Sequence, residues 1–446
     1  GDGKPTGYEI ENSLRFNDDD APRLTKTFSS SGNRRTVTFS AWFKLSNLGI
    51  IRHIFSNNGA DFINLESDNT LSVQLAGSAE GYLYSNRVFR DPSAWYHIVV
   101  AVDTTQGTAS NRLKLYINGV QETSFSATSN PNQNLETGFA ENVQHAIGMR
   151  SANVDRHFDG YLAEVNFVDG SALDPTYFGE TDDNGVWIPK EPDVSSYGTN
   201  GFYMQFQQTG TSANSSGIGA DTSGNDHHFA VTNLAATDVT TDTPTNNFCT
   251  LSSVDNDGVV LSEGNCNFDT SSGNNEGVRG TIGVQNGKWY YECKITGSAG
   301  MSAGNIGYSR PEVPVTSGPA SVLGLFANGS STFGLYNNSS GKTSLDASAG
   351  IGQNDIIGVA LDLDSSTKTI AYYRNGSIMG SAQTINASIL GDFLLPVMLD
   401  DGGVNDVVGS FNFGNPTFSI SSGNTDGKYG NFEYAPPSGY YALCTK

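Results

Sequence analysis

The run Arg35-Thr36-Val37-Thr38-Phe39-Ser40-Ala41-Trp42-Phe43-Lys44-Leu45 alternates strictly. Val37, Phe39, Ala41, Phe43 and Leu45 fall on one side of an extended chain, and Thr38, Ser40, Trp42 and Lys44 on the other. That is period two, the signature of a strand with one face in a core. Similar pieces follow at Phe62-Ile63-Asn64-Leu65, Leu71 through Leu75, Trp95 through Val102, Leu113 through Ile117 and Tyr161 through Phe167. Polar turns separate them, and Asn118-Gly119 after Ile117 is the strongest short hairpin signal of this half. Regular short strands with Gly, Asn and Asp punctuation read as an antiparallel sandwich.

The texture changes from about Asp182 to Thr245. One strand is expected at Phe202 to Phe206, followed by long Gly/Ser/Thr/Asn-rich sequence that buries little apolar surface. A second β-rich block begins near Asn247, with strands at Lys288 to Ile295, Ile356 to Leu363, Thr369 to Tyr373, Leu394 to Leu399 and Val408 to Phe413. Asn375-Gly376 marks a further hairpin, and Pro436-Pro437 keeps the end of the chain out of any central strand. The expected division is therefore 1–181 for a first sandwich, 182–246 for an extended connector with a strand returning to it, and 247–446 for a second sandwich with a wrapping tail. No repeat period links the halves.

The bulk composition agrees. A chain of 446 residues exceeds one hydrophobic core, and 52 glycines, 24 phenylalanines and 19 tyrosines with 16% charged residues favour strands and tight turns over helices. The net charge of −22 repels phosphate backbones and anionic lipid surfaces, so neither nucleic acid nor membrane is an expected partner. No apolar run approaches the ~20 residues of a spanning helix, and Gly1-Asp2-Gly3-Lys4-Pro5 lacks the basic-then-apolar pattern of a signal peptide. Cys249, Cys266, Cys293 and Cys444 have no zinc-type spacing and read as buried thiols, with Cys249 and Cys444 the one pair that terminal strands could bring together.

Five features, in order, make residues 8 to about 175 resemble the laminin-G-like branch of the concanavalin A-like sandwiches: Ser13-Leu14-Arg15-Phe16, Thr38 through Lys44, Asp91-Pro92-Ser93-Ala94-Trp95-Tyr96-His97, Leu115-Tyr116-Ile117-Asn118-Gly119 and Phe158 through Val165. Gly287-Lys288-Trp289-Tyr290-Tyr291-Glu292, Asp355 through Asp364, Tyr372-Tyr373-Arg374-Asn375-Gly376, Leu395-Pro396-Val397 and Phe411-Asn412-Phe413-Gly414 make residues 275 to 415 resemble a SPRY domain. The tandem with its tail, Pro436 through Cys444, resembles structural proteins of marine tailed phages. That resemblance implies an all-β protein on a virion surface, oligomeric, with other virion proteins as partners. It would adhere to host-surface glycans or proteins; a capsid or tail decoration protein and an extracellular bacterial lectin are the alternatives.

Some concanavalin-like folds are glucanases with a Glu-x-Asp-x-Glu strand. Glu66-Ser67-Asp68 lacks the third acid and Glu164-Val165-Asn166 has an amide in place of the second, so no enzyme is expected. Gly300-Met301-Ser302-Ala303-Gly304 spells a nucleophile elbow without a following helix, and His97 reads as a strand residue among aromatics. The laminin-G resemblance implies a rim calcium site with Asp61 as its aspartate, although the accompanying asparagine has no counterpart here. Tyrosines flanked by amides suit sugar, because rings stack on pyranose faces while amides share hydrogen bonds with hydroxyls. Tyr82 and Tyr84 with Asn86, and Tyr336 with Asn337 and Asn338, are the candidates.

Overall fold

The computed structural model describes residues 7–76, 80–270, 275–301, 303–328, 333–339, 341–346, 350–401, 407–421 and 423–446. Gly1 to Pro5 and Ser302 lie outside the described residues. The fold is all-β, with helix confined to three-residue 3-10 turns among the described residues. Two compact units divide it, 1–246 and 247–446.

In the first unit one antiparallel sheet runs Val120–Gln121, Leu113–Ile117, Trp95–Asp103, Thr36–Leu45, Gly160–Asp169, Ser13–Phe16, Val239–Thr240, with Phe202–Met204 paired to Gly160–Asp169. The second runs Phe125–Ser129, Tyr82–Val88, Thr70–Gln74, Phe62–Leu65, Arg52–Asn57, Gln144–Ile147, Arg23–Thr27, Ala230–Thr232. Val37, Phe39, Ala41, Phe43 and Leu45 enter the core between the sheets, where Phe39 stacks on Phe55 of the opposite sheet at 4.9 Å. The Asn118-Gly119 hairpin forms as its residues demand, with φ +48° and +79°. Gly119 also touches Trp187, whose ring would stand 2.3 Å from any added Cβ.

The outward row of Thr36–Leu45 departs from simple alternation, because it is buried as well. The cover comes from the polar stretches that follow the sheet strands. Thr38 Oγ1 donates to the Ser171 carbonyl at 2.7 Å, Lys44 Nζ pairs with Asp242 at 2.8 Å with both side chains nearly inaccessible, and Trp42 packs with Ile10 and Trp187. Residues 182–246 lie within the first unit and supply strands to both of its sheets.

The second unit has a sheet of order Leu251–Asp257, Gly277–Gly280, Leu395–Asp400, Ala303–Ser309, Leu323–Asn328, Phe333–Asn337, Lys342–Asp346. Its partner sheet runs Val260–Ser262, Asn267–Asp269, Val408–Asn412, Lys288–Ile295, Ile356–Asp362, Thr369–Arg374, Ser377–Ile378, with Gln383–Thr384 beside Thr369–Arg374. Asn375-Gly376 turns with φ +49° and +79°. The chain end lies against this sheet: Tyr441 exchanges backbone bonds with Lys288 and Tyr290, and the Glu292 carboxylate accepts from Glu433 and Tyr434 backbone N–H groups. All four cysteines are free thiols. Cys444 sits opposite Phe248, so Cys249 joins the inner core with Leu443 while Cys444 faces the other way beside Phe248. Neighbouring positions on a strand point to opposite faces, which keeps the two sulfurs apart.

Candidate functional site

Ile63, Leu65, Leu71, Val73 and Leu83 fill the core of the first unit. Their alternating neighbours must therefore stand on the outer face of the second sheet. Register sets them in two rows across three strands: Phe62, Gln74 and Tyr82, then Asn64, Ser72 and Tyr84. Phe62, Tyr82 and Tyr84 are half-buried, and the two tyrosine rings meet edge to face at 5.6 Å.

The second row carries a polar network. Asn64 Nδ2 donates to Glu66 Oε1 at 3.1 Å, and the Ser72 hydroxyl lies 2.6 Å from Asn64 Oδ1 and 2.7 Å from Glu66 Oε1. Asn64 and Ser72 are buried, at 1% and 0% exposure, so of this network only the half-buried Glu66 carboxylate is within reach of a donor from outside the chain. Burial, and then the charge of Glu66, raise the Tyr84 phenol above its ordinary value. His53 continues the second row beside Asn64. Its ring is buried 4.9 Å from Phe62 and burial lowers its pKa to about 3, so it stays neutral.

Asn86 shares the strand of the tyrosines but is engaged: its amide donates to Ser124 Oγ at 2.9 Å. Tyr336 packs edge-on against Phe326 at 5.5 Å. Asn337 clips a neighbouring segment, donating to the Thr384 carbonyl at 2.7 Å and accepting from the Asn386 N–H at 2.8 Å, and Asn338 donates to Ser388 Oγ at 3.1 Å. Nothing in the sequence singles out Phe62, Asn64, Ser72 or Glu66 as binding residues, although the alternation of Phe62-Ile63-Asn64-Leu65 already sets two of them outward.

Asp61 does not fit a cation. Its Oδ1 accepts from the Ala76 N–H at 2.6 Å and its Oδ2 from Gly138 and Phe139 at 2.6 and 3.1 Å, so amide hydrogens converge where a metal would need lone pairs. Asn57, next to it, likewise spends its carbonyl oxygen on the N–H groups of Gly59 and Asp61. Burial lifts the Asp61 carboxyl to about 6 despite these donors. Among the described residues no group of three or more His, Cys, Asp or Glu is placed to hold a metal.

Glu66 and Glu164, the two glutamates nearest the glucanase pattern, belong to opposite sheets. Glu66 stands on the outer face of the second, whereas Glu164 faces outward from the first, held by Tyr8 and Tyr203 hydroxyls. Sheets stack ~10 Å apart before the side chains are added, which exceeds the ~5–9.5 Å of glycosidase pairs. His97 is buried against Trp42, 4.7 Å between rings. Its Nδ1 accepts from the Trp187 indole at 3.1 Å, and its Nε2 lies 2.9 Å from Ser40 Oγ. Ala303 and Gly304 open a strand, so the elbow pattern lacks its strand-to-helix turn.

Residues 18–176 match the family model of the concanavalin A-like lectin/glucanases superfamily, and residues 288–416 match that of the SPRY domain. The two matches stand in the tandem order expected from the sequence. Among solved structures, the SPRY domain of human HERC1 is 18% identical, covering 36% of this chain and 96% of its own, with a TM-score of 0.30. The heptameric SAP-like pentraxin of Limulus polyphemus is also 18% identical, covering 37% and 80%, with a TM-score of 0.28. A candidate carbohydrate-binding protein of Bacteroides ovatus is 14% identical, covering 50% and 60%, with a TM-score of 0.33. These scores carry no argument about ligands. No curated protein matches the chain.

Proposed function

We propose that this chain is a non-catalytic adhesion protein whose first unit binds glycans on the outer face of its second sheet. The observation that carries the reading is the joint placement of Phe62, Tyr82 and Tyr84 around Asn64, Ser72 and Glu66. Aromatic rings offer apolar surface to pyranose C–H groups, while the half-buried Glu66 carboxylate, held in place by the buried Asn64 and Ser72, offers a partner to sugar hydroxyls. The family match of residues 18–176 includes lectins, which is consistent with this class of ligand.

The resemblance of the tandem and its tail to marine phage structural proteins supports a virion appendage, on tail or capsid, as the place of action. Repeated copies of a modest site gain strongly from avidity, so an oligomer is part of the proposal. The test is binding of the full chain to arrayed glycans and bacterial surface proteins, beside a Tyr82→Ala/Tyr84→Ala variant with unchanged melting. Glycan binding lost in the variant supports the reading. Binding to neither array would favour a decoration protein, and release of reducing sugar would defeat the non-catalytic reading.

A further inference from the structure

A groove of about 440 Å³ lies on the outer face of the first sheet, away from the face described above. Its floor is Ala101, Lys114 and Tyr116, and its wall is the segment from Ala172 to Tyr177. The wall is fastened: the Leu173 N–H donates to Thr38 Oγ1 at 2.8 Å, Phe178 is buried against Val99 and Val168, and Asp174 caps the 3-10 turn Pro175–Tyr177. The groove is thus formed before any ligand arrives, and its volume falls in the ~300–1,000 Å³ of ligand sites.

We infer that this groove is a second saccharide site, selective for uncharged oligosaccharides. Tyr116 and Tyr177 supply two rings, the first half-buried and the second 36% exposed. Lys114 on the floor and Asn111 beside it supply donors to the lining. Asp174 spends Oδ1 on the Thr176 N–H and hydroxyl, which leaves Oδ2 for a sugar hydroxyl. Asp103 accepts from Thr105 and Gln106 and stands on the same lining. A hydrocarbon would strand these polar groups, and an anionic sugar would meet Asp103 and Asp174 on a chain of net charge −22. Neutral sugars pair with both donors and acceptors. The inference shares its ligand class with the function proposed above but none of its residues, so the two fail separately.

The probe is an array of neutral hexose and N-acetylhexosamine homo-oligosaccharides, read with the full chain carrying Tyr82→Ala/Tyr84→Ala so that the other face is silent. Binding should persist there and fall about tenfold or more when Tyr177→Ala or Asp174→Asn is added, a size set by loss of one stacked ring or one hydroxyl partner. Asp174→Asn keeps the capping oxygen and guards against misfolding. Absence of binding by the Tyr82→Ala/Tyr84→Ala chain, or affinity unchanged by Tyr177→Ala and Asp174→Asn, overturns the second site. Loss of the Tyr82 and Tyr84 site alone leaves this signal intact.

Discussion

Replacing Glu164 by glutamine should make the first unit more stable at pH 8 relative to pH 5. Glu164 sits at an irregularity of the strand Gly160–Asp169, with φ +50°, a conformation few non-glycine residues adopt. Its side chain is nearly inaccessible, and burial, offset by the Tyr203 and Tyr8 hydroxyls, pushes its pKa from 4.5 to about 7. The folded state then holds a proton that the unfolded chain releases between these values. Stability from this group is therefore greatest below the unfolded pKa and declines as pH rises to about 7. The gap of about 2.5 units corresponds to about 3 kcal/mol. Glutamine mimics the protonated form and removes the slope. Urea denaturation followed by tryptophan fluorescence suits the test, since Trp42, Trp95 and Trp187 belong to the first unit and only Trp289 to the second. Comparing variant with wild type at each pH cancels Asp61 and Asp159, whose carboxyls burial also raises, to about 6 and about 7. A stability difference that stays constant from pH 5 to 8 would refute the reasoning.

Other consequences are as direct. Asp242→Ala leaves the buried Lys44 ammonium without its carboxylate and the Trp95 indole without its acceptor, and should cost about 3–5 kcal/mol in denaturant melts of the first unit. Four thiols should react with a thiol reagent in denaturant without prior reduction, while Cys249, Cys266 and Cys293 stay silent in the native protein because they are buried. Calcium should shift the melting temperature of wild type and Asp61→Asn equally, since Asp61 is spent on backbone donors.

Much of the fold is legible wherever side chains alternate. Val37 to Leu45 declares its core face, and Asn118-Gly119 and Asn375-Gly376 declare their turns because only positive φ closes them. The covering layer is not legible. Val239–Thr240 and Ala230–Thr232 are held by backbone pairing at sheet edges, too short to show a period. Lys44 looks solvent-facing until Asp242, nearly 200 positions away, is brought to it. The same limit applies to sites. Tyr82 and Tyr84 share an outward parity that one strand reveals, yet Glu66 and Ser72 join them only through register. Asn337 reads as a free amide because its partners, Thr384 and Asn386, belong to another segment.

The central claim is that glycans dock on the outer face of the second sheet of the first unit. A crystal structure of the full chain soaked with a saccharide captured on the array tests it most directly. A pyranose ring laid on Tyr82 or Tyr84, with a hydroxyl bonded to Glu66, is the expected result. Saccharide found only on the second unit, with that face bare, would contradict the account.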